Sequence, residues 1–174
     1  ARVGDAVFVS GTIGDGALGL RASKGELAGV GGEDVAALAG RYLLPRPRAT
    51  LGPRLRDLAS ACMDVSDGLV GDLGHICARS GVAAVIDVAR VPLSDPARRA
   101  IERDATLLEL AITGGDDYEL LFTAPTSARE AVVALSREVG VPITEIGRIE
   151  AGEGVRAMRA GEPMSLERTS YRHR

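Results

Sequence analysis

Tryptophan is absent from this chain, and the other aromatics are scarce: two Phe and three Tyr in 174 residues. Large rings therefore cannot fill the interior, and small aliphatic side chains must build the core. Cysteine is nearly as rare, with Cys62 and Cys77 alone. Two cysteines without metal-type spacing exclude a disulfide scaffold and a thiolate zinc site, and both read as reduced core residues of a cytoplasmic protein. There is no excess of basic residues; the net charge is −3 with acids and bases interspersed. That weighs against nucleic acid as a partner, since a nucleic-acid face carries a basic stripe. No apolar run approaches the length of a membrane span, and no signal peptide opens the chain, so no membrane association is expected. Only two histidines occur, and no Ser-His-Asp arrangement is evident.

What is present is a set of acidic junctions. The run Met63-Asp64-Val65-Ser66-Asp67-Gly68-Leu69 leads from an apolar strand into a helix whose stripe is Leu69, Val70, Leu73, Ile76 and Cys77. Alternation puts Asp64 and Ser66 on one face, and Ser66 or Asp67 is the expected N-cap. The head of that helix offers backbone N–H groups and a partial positive charge suited to a phosphate oxygen. Two carboxylates beside a phosphate need a divalent cation between them, and magnesium, which prefers oxygen ligands, fits. The plainer reading, a capped helix and nothing more, is favoured on this junction alone.

A second junction shifts the balance. Gly114-Gly115-Asp116-Asp117-Tyr118-Glu119 runs into the strand Leu120-Leu121-Phe122-Thr123. Paired glycines let a backbone approach closely, and the following acids can hold a cation or accept amine hydrogen bonds; the alternative is a turn with solvated acids. Two acidic strand ends in one small domain match where open α/β sheets bind ligands. A third segment, Ser10-Gly11-Thr12-Ile13-Gly14-Asp15-Gly16 onward to Leu20, is glycine-rich, but it is neither a P-loop nor a dinucleotide fingerprint. Its glycines read as packing residues. His75, Arg98, Arg99, Glu130 and Glu138 read as solvated surface, and Asp72 as either surface or support for the metal site.

The expected order is a strand at Ala6 to Ser10, helices near Ala17 to Ala28 and Asp34 to Leu44, and an extended link at Pro45 and Pro47. A helix at Pro53 to Ser60 precedes a strand at Ala61 to Val65, the helix to Arg79, and a strand at Val82 to Val88. Helical turns through Ala100 and Leu108, a strand at Tyr118 to Thr123, a helix at Ser127 to Val139, and strands at Ile143 to Ile149 and Gly154 to Met158 complete it. Without internal repeats, this predicts an α/β (α+β) layered domain, a mixed β-sheet flanked by helices.

In these segments the chain resembles the C-terminal half of the thiamine-monophosphate kinase family. The resemblance rests on Gly4-Asp5, Val9 to Thr12, Gly14-Asp15, Gly19-Leu20, Met63 to Leu69 with Asp72-Leu73, Gly114 to Leu120, and the closing Ser170 to His173. It implies the fold of the aminoimidazole ribonucleotide synthetase superfamily and ATP-dependent phosphorylation of thiamine monophosphate to thiamine diphosphate. By the same resemblance, Asp64 and Asp67 are magnesium ligands, Ser66 contacts ATP, and Asp116 and Tyr171 contact the substrate. The family usually has Glu where this chain has Asp116, a side chain one methylene longer. The resemblance also implies that residues 1–174 are one C-terminal domain, that an N-terminal half supplying most magnesium ligands and the dimer interface is missing, and that the isolated chain turns over little. Two other readings are a related ATP-using synthetase and a non-catalytic thiamine-phosphate-binding module.

Overall fold

The alternation in Ala6-Val7-Phe8-Val9 places Val7 and Val9 on one face of a strand and Ala6 and Phe8 on the other, and all four are buried. A strand apolar on both faces belongs in the middle of a sheet, and β1 (Ala6–Ser10) lies there. The computed structural model describes residues 1–166, so Tyr171 lies outside the described residues. Within them, β1 pairs antiparallel with β4 (Leu120–Ala124) and with β5 (Ile143–Glu150). Beyond β4 comes β2 (Ala61–Asp64); beyond β5 come β3 (Ala83–Asp87), β6 (Gly154–Arg159) and β7 (Glu162–Pro163). All pairs are antiparallel except β3 with β6, so the expected mixed sheet is present.

Helices cover both faces. Val7, Val9, Leu121 and Ile146 pack with Leu69, Leu73, Ile76 and Cys77 of α3 (Leu69–Ser80) and Ile112 of α5 (Leu107–Thr113). On the other face Ala6, Phe8, Phe122 and Ala124 meet Leu51, Leu55 and, from α6 (Arg129–Val139), Val132 and Leu135. Phe8 and Phe122 are register partners whose rings stack at 5.2 Å, so two of the few aromatics are spent on one contact. A third cluster joins α1 (Asp15–Ser23), α2 (Gly32–Leu43), α4 (Asp95–Arg103) and α5 through Leu18, Leu38, Ala97 and Ala111.

Several boundaries differ from expectation. The first helix stops at Ser23, because Gly25 takes φ +72°, which ends the turn that Lys24 caps. The segment expected as a helix from Pro53 contains only a short 3-10 turn, Gly52–Leu55. Cys62, read as a core residue, is exposed: β2 is an edge strand, and its outward face carries Cys62 and Asp64. Cys77 is buried as expected, and His75 is exposed. No described helix is long and apolar enough to cross a membrane.

Candidate functional site

The two acidic junctions meet. β2 and β4 run antiparallel, so Asp64 at the end of one faces Leu120 at the start of the other. The backbone pairing continues past both strands. The Val65 N–H donates to the Glu119 carbonyl at 2.8 Å, the Tyr118 N–H to the Val65 carbonyl at 2.9 Å, and the Asp116 N–H to the Ser66 carbonyl at 3.0 Å. The segments 65–68 and 114–119 are thus laced together at the rim of the sheet. Glycine makes the approach possible: a Cβ on Gly115 would lie 2.0 Å from the Ser66 carbonyl oxygen, and one on Gly68 2.4 Å from that of Thr113. Gly68 also takes φ +115°, a conformation other residues rarely adopt.

Burial along the acidic loop alternates. Asp116 is half-buried and Tyr118 is 38% exposed, whereas Asp117 and Glu119 are 1% and 0% exposed. The two inward acids are therefore not the solvated pair of an ordinary turn. Asp117 accepts from the Gly14 N–H at 2.7 Å and the Gly16 N–H at 2.8 Å. The glycine-rich turn does cradle an acidic group, but that group is the protein's own buried carboxyl. Its other glycines serve packing, as expected: a Cβ on Gly19 would meet the Leu38 carbonyl at 2.3 Å. Burial pushes the Asp117 carboxyl up to about 8; the two N–H donors pull against this, and the charges of Asp15 and Glu119 add to it.

Glu119 sits at the centre of a polar network. Arg48 donates to it from Nε at 2.6 Å and also from Nη2, Arg41 from Nη2 at 3.3 Å, and the Ser10 hydroxyl at 2.6 Å. Ser10 Oγ in turn accepts from the Leu120 N–H at 2.8 Å, which ties β1 to β4 beside the loop. Arg41 also lies 3.7 Å from Asp15, whose oxygens accept from the Thr12 and Ser94 hydroxyls. The sequence reading missed this network. Its one visible signal was the alternation itself, because acids two apart that turn inward need buried donors.

The head of α3 also departs from expectation. Neither Ser66 nor Asp67 caps it; the N-cap is Gly68, with no side-chain cap. Instead Asp72 reaches back, and its Oδ2 accepts from the backbone N–H groups of Ser66, Asp67 and Gly68 at 3.0, 3.1 and 3.2 Å. Those three donors, expected to face a phosphate, are occupied internally. Asp72 is accordingly buried rather than on the surface. Burial raises its carboxyl, the N–H donors lower it, and the negative charge of Asp67 raises it further.

Of the residues singled out for chemistry, Asp64, Ser66, Asp67 and Asp116 lie on these two adjoining segments, Asp64 exposed and the other three half-buried. Among the described residues no group of three or more His, Cys, Asp or Glu side chains converges to hold a metal ion. Asp64 and Asp67 supply hard oxygen donors of the type magnesium takes, but do not complete a site by themselves.

Residues 2–159 match the family described as AIR synthase related protein, C-terminal domain. The chain is 42% identical over 174 residues to the thiamine-monophosphate kinase of Escherichia coli strain K12, covering 99% of this chain and 53% of that protein. The crystal structure of thiamine-monophosphate kinase from Stenotrophomonas maltophilia K279a superposes with a TM-score of 0.83 at 46% identity, covering 94% of this chain and 52% of that one. A structure described as AaThiL complexed with AMPPCP and TMP gives a TM-score of 0.77 at 36% identity, covering 98% and 52%. The chain thus spans about half the length of the curated relatives it matches. The expected resemblance is borne out in sequence and in fold, and the chain belongs to the family of AIR synthase related protein C-terminal domains.

Proposed function

We propose that this chain is the C-terminal half of an ATP-dependent thiamine-monophosphate kinase. The observation that carries the reading is the lacing of Asp64-Val65-Ser66-Asp67 against Gly115-Asp116-Asp117-Tyr118, which puts candidate metal-binding and substrate-binding carboxylates on one rim. The reaction needs little covalent help. A phosphate oxygen of thiamine monophosphate attacks the γ-phosphorus of ATP, the bond from that phosphorus to the β–γ bridging oxygen breaks, and ADP leaves. The acceptor is already anionic near neutral pH, so no general base is required. The protein has to position two anions in line and offset their repulsion.

In this reading Asp64 and Asp67 hold magnesium, Ser66 contacts ATP, and Asp116 binds the substrate. Tyr171 belongs with Asp116 by resemblance to the kinases. Magnesium, when bound, neutralises phosphate charge between donor and acceptor. Asp64 is exposed at the end of an edge strand, where a cation carried on ATP can reach it. The missing half supplies the remaining ligands, the complete protein is a homodimer of the cytoplasm, and the 174 residues alone turn over little. The similarity to kinases runs through both acidic junctions, which supports this reading over a related synthetase or a binding module.

The test is thiamine diphosphate formation from ATP and thiamine monophosphate by a kinase-length chain carrying these residues. Asp64→Asn and Asp67→Asn should each lower kcat at least tenfold, with partial recovery at high magnesium. Full activity in both variants would remove the metal role. Robust turnover by the 174 residues alone would remove the half-enzyme reading.

A further inference from the structure

We infer that Tyr118 is a specificity-determining residue, its exposed ring forming, with the carboxylate of Asp116, a seat for a flat organic cation. The inference rests on the proposed kinase reading in one respect only, that the cation is the thiazolium ring of thiamine monophosphate.

Three observations carry it. The first is backbone geometry. Asp116 and Tyr118 take φ +73° and +53°, conformations that side-chain-bearing residues rarely adopt. The Asp116 and Tyr118 N–H groups are both held by carbonyls of the facing turn, which maintains the twist. Its outcome is a loop that turns Asp117 and Glu119 inward while leaving Asp116 and Tyr118 outward. Strain of this kind gathers at binding sites.

The second is exposure. Phe8 and Phe122 are buried in the core, yet Tyr118 stays 38% exposed. Its hydroxyl is 3.3 Å from Asp116 Oδ1, long for a hydroxyl bond, so that contact alone does not account for the ring's position.

The third is charge. The carboxylates of Asp116 and Asp64 both push the Tyr118 phenol up, as does Tyr42, so the ring lies within the field of both acids. Among the described residues neither acid has a basic partner, whereas Glu119 and Asp15 nearby do. An exposed aromatic face beside a carboxylate with no basic partner is the recognition chemistry of an organic cation, by cation–π attraction and stacking.

The experiment follows binding of thiamine, which carries the cation without the phosphate, to the full-length chain through the backbone amide shifts of Gly114 to Glu119 in NMR, a readout that survives substitution of Tyr118. The neutral 4-methyl-5-hydroxyethylthiazole is the control. Thiamine should bind saturably and the neutral thiazole far more weakly. Tyr118→Phe should retain thiamine binding, while Tyr118→Leu and Asp116→Asn should each weaken it about five- to tenfold. Unchanged affinity in Tyr118→Leu, or equal binding of the neutral thiazole, would overturn the seat. Thiamine diphosphate formation, measured separately on the same proteins, reports on the kinase reading. Loss of that reading with thiamine binding intact leaves the seat standing, and an active kinase whose KM for thiamine monophosphate ignores Tyr118→Leu refutes it.

Discussion

Arg48 grips Glu119 with two guanidinium nitrogens, Nε donating to Oε2 at 2.6 Å and Nη2 to Oε1, and so joins the link after α2 to the root of the acidic loop. Glu119 is fully buried, and Arg48 is the strongest of its donors. The pair lifts the Arg48 guanidinium above its ordinary value, because the hydrogen bond and the charge of Glu119 together outweigh burial. Arg48→Met leaves a buried carboxylate with only Arg41 and Ser10, and should destabilise the chain by about 3 kcal/mol in urea unfolding. The double variant with Glu119→Gln should recover part of that loss. A single-variant cost under about 1 kcal/mol would mean that Arg41 compensates fully.

Asp117 gives a pH dependence whose sign is set. Its folded carboxyl titrates near 8, far above the ordinary carboxylate range of about 4 in the unfolded chain. Between those values the folded state holds the extra proton, so stability falls as pH rises from about 4 to 8. Asp117→Asn should remove that slope. It should also lower stability at pH 5, because the amide NH2 that replaces one carboxyl oxygen can only donate, so one of the Gly14 and Gly16 N–H groups loses its acceptor. Unfolding free energies across that range, compared between the two proteins, check both parts; parallel curves would show that Asp117 stays ionised throughout.

Two glycine-to-alanine changes should have opposite signs. Gly115→Ala forces a Cβ into the Ser66 carbonyl, backbone against backbone, and should destabilise the chain while spreading the laced segments. Gly74 lies inside α3, with nothing within 4 Å of an added Cβ, and Gly74→Ala should stabilise by up to about 1 kcal/mol. Melting temperatures separate the two, and a neutral Gly115→Ala would show that the lacing yields easily.

The parts of this molecule legible in its sequence are those set by local pattern. Alternation in Ala6 to Val9 marks a strand buried on both faces, the stripe from Leu69 to Cys77 gives α3 its buried side, and both acidic junctions fall at strand ends as read. The parts missed depend on partners distant in the chain. Asp117 looks like Asp116 until Gly14 and Gly16, about a hundred residues earlier, are seen to donate to it. Glu119 looks solvated until Arg41 and Arg48 arrive from α2 and the link after it. Asp72 lies off the main apolar stripe yet is buried, since the chain ahead of α3 folds over its carboxylate. Cys62 misled in the other direction: an apolar run signals a strand, but not whether that strand is the last in the sheet.

The reach of Asp72 back over the turn at Ser66 has a consequence for how a ligand is met. Because three amides at the head of α3 are satisfied from within, that turn does not depend on an incoming phosphate for its shape. The ordering entropy of the segment is spent during folding rather than at the moment of association. On the proposed kinase reading, an arriving nucleotide would meet a turn already set, and its binding would leave the backbone from Ser66 to Gly68 where it stands.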